Sequence, residues 1–184
     1  TDEELEVVKP LCLLTLKPVI YAANVGEDEL ASEGADNVHV KALREKAANE
    51  GAKVVIVSAA VEAELKDLDP EDRAEYLEAL GVEEGGLGNL IRNTYDTLGL
   101  RTYFTTGEKE TRAWTIKAGF TAPQAAGVIH TDFERGFICA DTVAYGDIVE
   151  GKTLTACKEA GKLRQEGKEY IVKEGDIMEF KFNV

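Results

Sequence analysis

One four-residue segment and one two-residue segment of this chain stand where they could do chemistry. The apolar run 18–23 ends in Asn24-Val25-Gly26-Glu27, and a second apolar run, 53–57, ends in Ser58-Ala59. Side-chain amide, carboxylate and hydroxyl groups at the ends of two buried strands are what a nucleotide-binding α/β sheet uses to hold a purine base. The phosphate-binding counterpart is not in the sequence: G-x-x-x-x-G-K-[ST], whose backbone N–H groups and lysine cradle phosphates, occurs nowhere. The chain reads as the base-reading half of a P-loop domain followed by something else. Asn24 has an alternative use as a cap for the turn after its strand, and a serine after a strand is commonly a helix cap as well.

The elements that would position these groups are legible in the periodicity. Residues 11–23 read as a buried strand with an irregular entry at Lys17-Pro18. Val40, Leu43 and Ala47 give residues 38–49 a helical period, and Gly51 sits where that helix would stop. A strand at 54–57 follows, and strand–helix–strand is the order of a parallel sheet. Asp69-Pro70 opens a further helix, with Asp as N-cap and Pro in the first helical position, ending at Gly81. Gly85-Gly86-Leu87-Gly88 reads as a loop leading into a helix at 89–98; without a following Lys-Ser/Thr it is a hinge or helix entry rather than a phosphate loop.

From Arg101 the period becomes strand-like. Residues 102–106 and 111–116 flank Gly107-Glu108-Lys109, a hairpin signature. Thr121-Ala122-Pro123-Gln124 fits a capping box opening a helix to about His130. A strand at 137–143, a short helix near 155–161 and a final strand pair around Glu174-Gly175-Asp176 complete the order of a small β-grasp domain.

Charge separates the two parts. Residues 1–100 carry 22 acidic against 9 basic side chains, a net of −13, whereas residues 101–184 carry 13 against 12. An acidic surface repels phosphate backbones, so contact with nucleic acid is expected only from the second part. The cations Lys109, Arg112, Lys117 and Arg135 are candidates for an RNA-facing patch, although their alternation on strands equally fits a solvated face. Trp114 reads as core before it reads as a stacking platform. His130 and Asp132 read as helix-end groups, since His39 is the only other histidine and no metal site is expected. The three cysteines, Cys12, Cys139 and Cys157, lack C-x-x-C spacing and read as reduced thiols. No apolar run is long enough to span a bilayer and Thr1-Asp2-Glu3-Glu4 does not begin a signal peptide, so a cytoplasmic protein with no membrane or DNA partner is expected.

Arg112-Ala113-Trp114-Thr115-Ile116, the long block from Ala122-Pro123-Gln124-Ala125-Ala126-Gly127 through His130-Thr131-Asp132-Phe133-Glu134-Arg135-Gly136, and the ending Gly175-Asp176-Ile177-Met178-Glu179-Phe180-Lys181-Phe182-Asn183-Val184 resemble the YchF family of Obg-like ATPases. The resemblance covers essentially the whole chain. It implies an α/β fold: residues 1–98 would be the C-terminal part of a GTPase-type P-loop domain, with 1–10 the end of the family's helical insertion. Residues 101–184 would be a TGS domain. It further implies a ribosome-associated protein that, when complete, hydrolyses ATP with Mg²⁺ in preference to GTP, while this chain alone would be inactive and hold no nucleotide tightly. The family's pattern N-x-x-E maps onto Asn24, Val25 and Glu27, in place of the N-K-x-D of GTPases, and Ser58-Ala59-Ala60 stands in place of S-A-K. Glu for Asp shifts the carboxylate by a methylene and spoils its two-pronged fit to guanine, while Val25 would present an apolar group and its N–H to adenine. Nucleotide-binding residues are thus expected at Asn24, Val25, Glu27, Ser58 and Ala59, and catalytic residues nowhere in this chain. The rival reading is a non-enzymatic TGS-type module that binds RNA or protein, its first part acting only as scaffold.

Overall fold

The structure, a computed structural model, describes residues 1–107 and 110–183. The chain divides into two compact units, Thr1–Leu98 and Gly99–Val184.

The first unit is built on a pair of parallel strands. Helix α1 (Asp2–Val8) is closed at its start by a capping box between Thr1 and Glu4. Strand β1 (Ile20–Asn24) pairs in parallel with β2 (Lys53–Val57), from Ile20 opposite Lys53 to Asn24 opposite Val57. Helix α2 (Val38–Glu50) connects them. The Asn37 side chain accepts hydrogen bonds from the His39 and Val40 N–H groups at its start, and Gly51, at φ 66°, ends it in the left-handed conformation that glycine tolerates best. Helix α3 (Ala59–Leu65) follows β2 directly, and α4 (Pro70–Ala79) begins at Asp69, whose carboxylate accepts from the Glu71 and Asp72 N–H groups. Helix α5 (Gly86–Thr97) closes the unit. Ala23, Val25, Leu30, Val40, Ile56, Val61 and Leu65 form its core.

Two expectations need correcting here. The strand does not begin at Leu11. Residues 9–11 and 14–16 form two 3₁₀ turns, and Leu11, Leu13, Leu14, Leu16 and Val19 are exposed. Pro10 and Pro18 each remove a ladder donor, so an apolar run alone could not make this segment a strand. The glycine segment also lies inside a helix rather than before one: α5 starts at Gly86 with Gly85 as its N-cap.

The second unit is a five-stranded mixed sheet with a helix across one face. Its strands are β3 (Leu100–Thr106), β4 (Thr111–Lys117), β5 (Phe137–Ala144), β6 (Arg164–Glu166) and β7 (Asp176–Phe182), in the order β4-β3-β7-β5-β6. Only the β3–β7 pair is parallel. Helix α6 (Ala122–Ile129) starts in the expected Thr121–Gln124 capping box, and α7 (Thr131–Arg135) continues from it. Ala122, Ala125 and Ala126 are fully buried, and the Tyr103 hydroxyl donates to the Ala125 carbonyl at 2.9 Å. Small side chains on that stripe let α6 sit close to Tyr103, Ile116, Phe137, Ala140 and Met178 of the sheet.

The expected terminal strand pair is not a pair. β6 and β7 flank β5 on opposite sides, and β7 runs into the centre of the sheet beside β3. Helix α8 (Tyr145–Gly151) was not anticipated, because Gly146 and Gly151 weaken its helical signal. Helix α9 (Leu154–Glu159) is the short helix expected near that position. Among the described residues no helix is long and apolar enough to cross a membrane.

Candidate nucleotide-base site

Parallel strands deliver their C-terminal ends to one edge, which is where open α/β sheets bind ligands. Asn24 and Val57 are register partners, so the loops that leave β1 and β2 start side by side. Two hydrogen bonds then lock them together. The Ala59 N–H donates to Asn24 Oδ1 at 2.9 Å, and the Val25 N–H donates to the Val57 carbonyl at 2.9 Å. Ala59 is the first residue of α3, whose opening N–H groups have no partner within the helix. Asn24 therefore caps a helix, but one reached 35 residues further along the chain rather than its own turn.

The remaining residues fall into place around this pair. Glu27 is exposed and opens a 3₁₀ turn, Glu27–Glu29. Ala59 and Ala60 are exposed. Ser58 occupies the N-cap position of α3 but makes no capping bond; it is 2 % exposed, and its hydroxyl is buried without a partner. Val25 does not meet its expectation. Strand alternation turns Ala23 and Val25 inward on either side of Asn24, so Val25 is 7 % exposed within the core, and its N–H is taken by Val57. Neither group that the sequence offered to a base at Val25 faces outward.

One residue of this loop escaped the sequence reading. Glu29 accepts from the Gly26 N–H at 3.3 Å and from the Asn37 side-chain amide at 2.8 Å, tying the loop after β1 to the start of α2. The spacing Gly26…Glu29, a carboxylate reaching back three residues, was the available signal.

Beside α3 lies a hollow of about 380 Å³ lined by Ile56, Ser58, Val61, Glu62, Gly85 and Gly86, with further walls from 30–33 and 77–92. Neither Asn24 nor Glu27 lines it. Its carboxylates Glu33, Glu62, Glu83 and Glu84 face a single cation, Arg92, which is paired with Glu84 at 2.6 Å. That charge excludes phosphate.

In the second unit Arg112 lies over the Trp114 ring, 4.2 Å from its centroid, and the Trp114 indole N–H donates to Thr105 Oγ1 at 2.9 Å. Trp114 packs against the core as expected of it. Arg112 and Lys117 are five residues apart on one strand, so they face opposite sides of the sheet: Arg112 shares its side with Trp114 and the buried Ile116. Arg135 is exposed at the end of α7. Lys109 lies outside the described residues. His130 Nδ1 accepts from the Asp132 N–H at 3.2 Å and so caps α7. No cluster among the described residues could hold a metal ion.

Residues 100–183 match the family model YchF-GTPase_C, described as "Protein of unknown function (DUF933)". The chain is 53 % identical over 184 residues to the "Ribosome-binding ATPase YchF" of Bacillus subtilis, covering 100 % of this chain and 50 % of that protein. It is 43 % identical over 183 residues to "Obg-like ATPase 1" of Rattus norvegicus, covering 99 % of this chain and 46 % of that one. Among solved structures, the YchF GTPase of Schizosaccharomyces pombe superposes with a TM-score of 0.78 at 38 % identity, covering 98 % of this chain and 48 % of that chain. The chain thus spans about half the length of the curated relatives it matches.

Proposed function

We infer from this chain's membership of the YchF family, about half of whose length it spans, that it serves a ribosome-associated nucleotide hydrolase preferring ATP to GTP. In this reading residues 1–98 are the base-reading part of the nucleotide domain and residues 101–184 a TGS domain that meets ribosomal RNA. The protein would act in the cytoplasm. The observation that carries the nucleotide half is the bond from the Ala59 N–H to Asn24 Oδ1. It fixes two loops that face one edge of a parallel sheet, and it occupies the Ala59 N–H within Ser58-Ala59-Ala60, the stretch that stands in place of S-A-K. Glu27, one methylene longer than the aspartate that grips guanine, and Ala60, lacking the lysine ammonium, both favour adenine. ATP would bring Mg²⁺, which would neutralise charge on the transferred phosphoryl group. For the ribosome, the support is the near-neutral charge of 101–184 and the exposed cations Arg112, Lys117 and Arg135, none of them in an ion pair among the described residues. Lys109 is proposed with them on sequence alone.

The test is Glu27→Asp in the complete protein, with ADP and GDP affinities measured by calorimetry. The ratio should move towards GDP by about tenfold, a little over one kcal/mol for a restored charged hydrogen bond. An unchanged ratio removes Glu27 from base selection.

A further inference from the structure

Helix α5 starts on glycine, and nothing in its own sequence caps it. Gly85 at the N-cap has no side chain to offer the first N–H groups. The missing acceptor comes from α3: Glu62 Oε1 accepts from the Leu87 N–H at 3.2 Å. A carboxylate there also meets the positive end of the helix dipole. The glycines permit the approach. A Cβ on Gly85 would lie 2.9 Å from Glu62 Oε1, and one on Gly86 would lie 2.9 Å from the Cα of Val57.

Both contacts reach the base loops. The backbone N–H of Glu62 donates to the Ser58 carbonyl at 2.9 Å, closing the first turn of α3, and the next residue after Ser58 is Ala59, held by Asn24. Val57, against which Gly86 rests, is the residue whose carbonyl holds the Val25 N–H. One side chain thus joins the start of α5 to the turn that presents Ala59. We propose that Glu62 is a positioning residue for the base-reading loops, setting their geometry by clamping the N-terminus of α5 to the first turn of α3. This rests on the reading of Asn24 and Ala59 as base-reading groups, and Glu62 itself touches no nucleotide.

Amide hydrogen exchange on this chain tests the clamp, and ADP affinity of the complete protein tests its consequence. Glu62→Ala should speed exchange at Ala59 and Val25 by roughly tenfold, the loss of about one charge-assisted hydrogen bond. Exchange at Ala47, buried in α2, should stay unchanged. Glu62→Gln keeps an acceptor oxygen and should restore most of the protection. Gly88→Ala is the control, because the nearest atoms its Cβ would meet belong to the side chain of Glu84 and not to Glu62 or Val57; it should leave Ala59 and Val25 as they were. ADP affinity should fall with Glu62→Ala by a similar factor and recover with Glu62→Gln. Unchanged exchange at Ala59 and Val25 overturns the proposal, as does a uniform rise that includes Ala47. If Asn24→Ala weakens ADP binding and Glu62→Ala does not, the proposal also falls. If exchange responds as expected but neither variant alters ADP affinity, the clamp stands and the nucleotide reading of these loops fails.

Discussion

In the proposed reading Val25 takes the place of the lysine in the N-K-x-D motif of GTPases, yet its side chain is buried among Ala23, Leu30, Val40, Ile56, Val61 and Leu65. Replacing it by threonine keeps the shape and exchanges a methyl for a hydroxyl. Inside that cluster the hydroxyl loses water without gaining a side-chain partner, a cost of about 1–3 kcal/mol. Val25→Ala removes two carbons' worth of burial, at about 0.8 kcal/mol each, and leaves a small cavity, so about 2 kcal/mol is expected. Val25→Lys should cost at least as much as alanine, and it should bring no gain in GDP affinity, because the ammonium would have to leave the core before it could meet a base. Urea unfolding followed by amide exchange at Ile56 reads the first unit. Fluorescence of Trp114, the only tryptophan, reads the second. The slope of stability against urea should be unchanged in the threonine variant, since the surface exposed on unfolding is the same. A threonine variant within about 0.5 kcal/mol of the parent would mean the side chain faces water, and the assignment of Val25 to the core would be wrong.

Reversing charge at Arg112 and Arg135 together in the complete protein should lower co-sedimentation with ribosomes and flatten its salt dependence, whereas Lys117→Glu, on the other face of β4, should do less. Retention that is undiminished across a salt series would place the contact on another surface. The second unit should also weaken in alkali: burial, with the hydrogen bond to Asp176, pushes the Tyr170 phenol from 10.0 up to about 12, and burial raises Tyr103 further still. A raised phenol keeps in the folded state a proton that the unfolded chain releases, so this stability is complete below pH 10.0 and declines as pH rises through about 12. The urea midpoint read by Trp114 should fall over that interval, less steeply in Tyr170→Phe; a flat midpoint refutes the linkage.

What the sequence determined by itself was local. The Thr121–Gln124 box, the Asp69-Pro70 start and the Gly51 stop rest on hydrogen bonds and dihedral limits spanning four or five residues, so residue types at fixed offsets suffice to place them. The strand–helix–strand order likewise carried the parallel pairing of β1 and β2. The same local signals misled where burial had to be guessed. An apolar run from Leu11 looked like buried strand, but no periodicity states what covers a segment, and prolines decided against the ladder. The motif Asn24-Val25-Gly26-Glu27 was visible as a string, but its division of labour was not. That Asn24 faces out to hold Ala59 while Val25 faces the core follows from the direction in which β1 presents alternate residues to α2 and α3. Likewise Glu62 in α3 and the Gly85–Leu87 start of α5 are 23 to 25 residues apart in sequence, and meet only because both helices converge at the end of β2. Short-range order is written residue by residue; which groups of distant segments share a hydrogen bond is fixed only when the core closes and leaves each side chain one face to occupy.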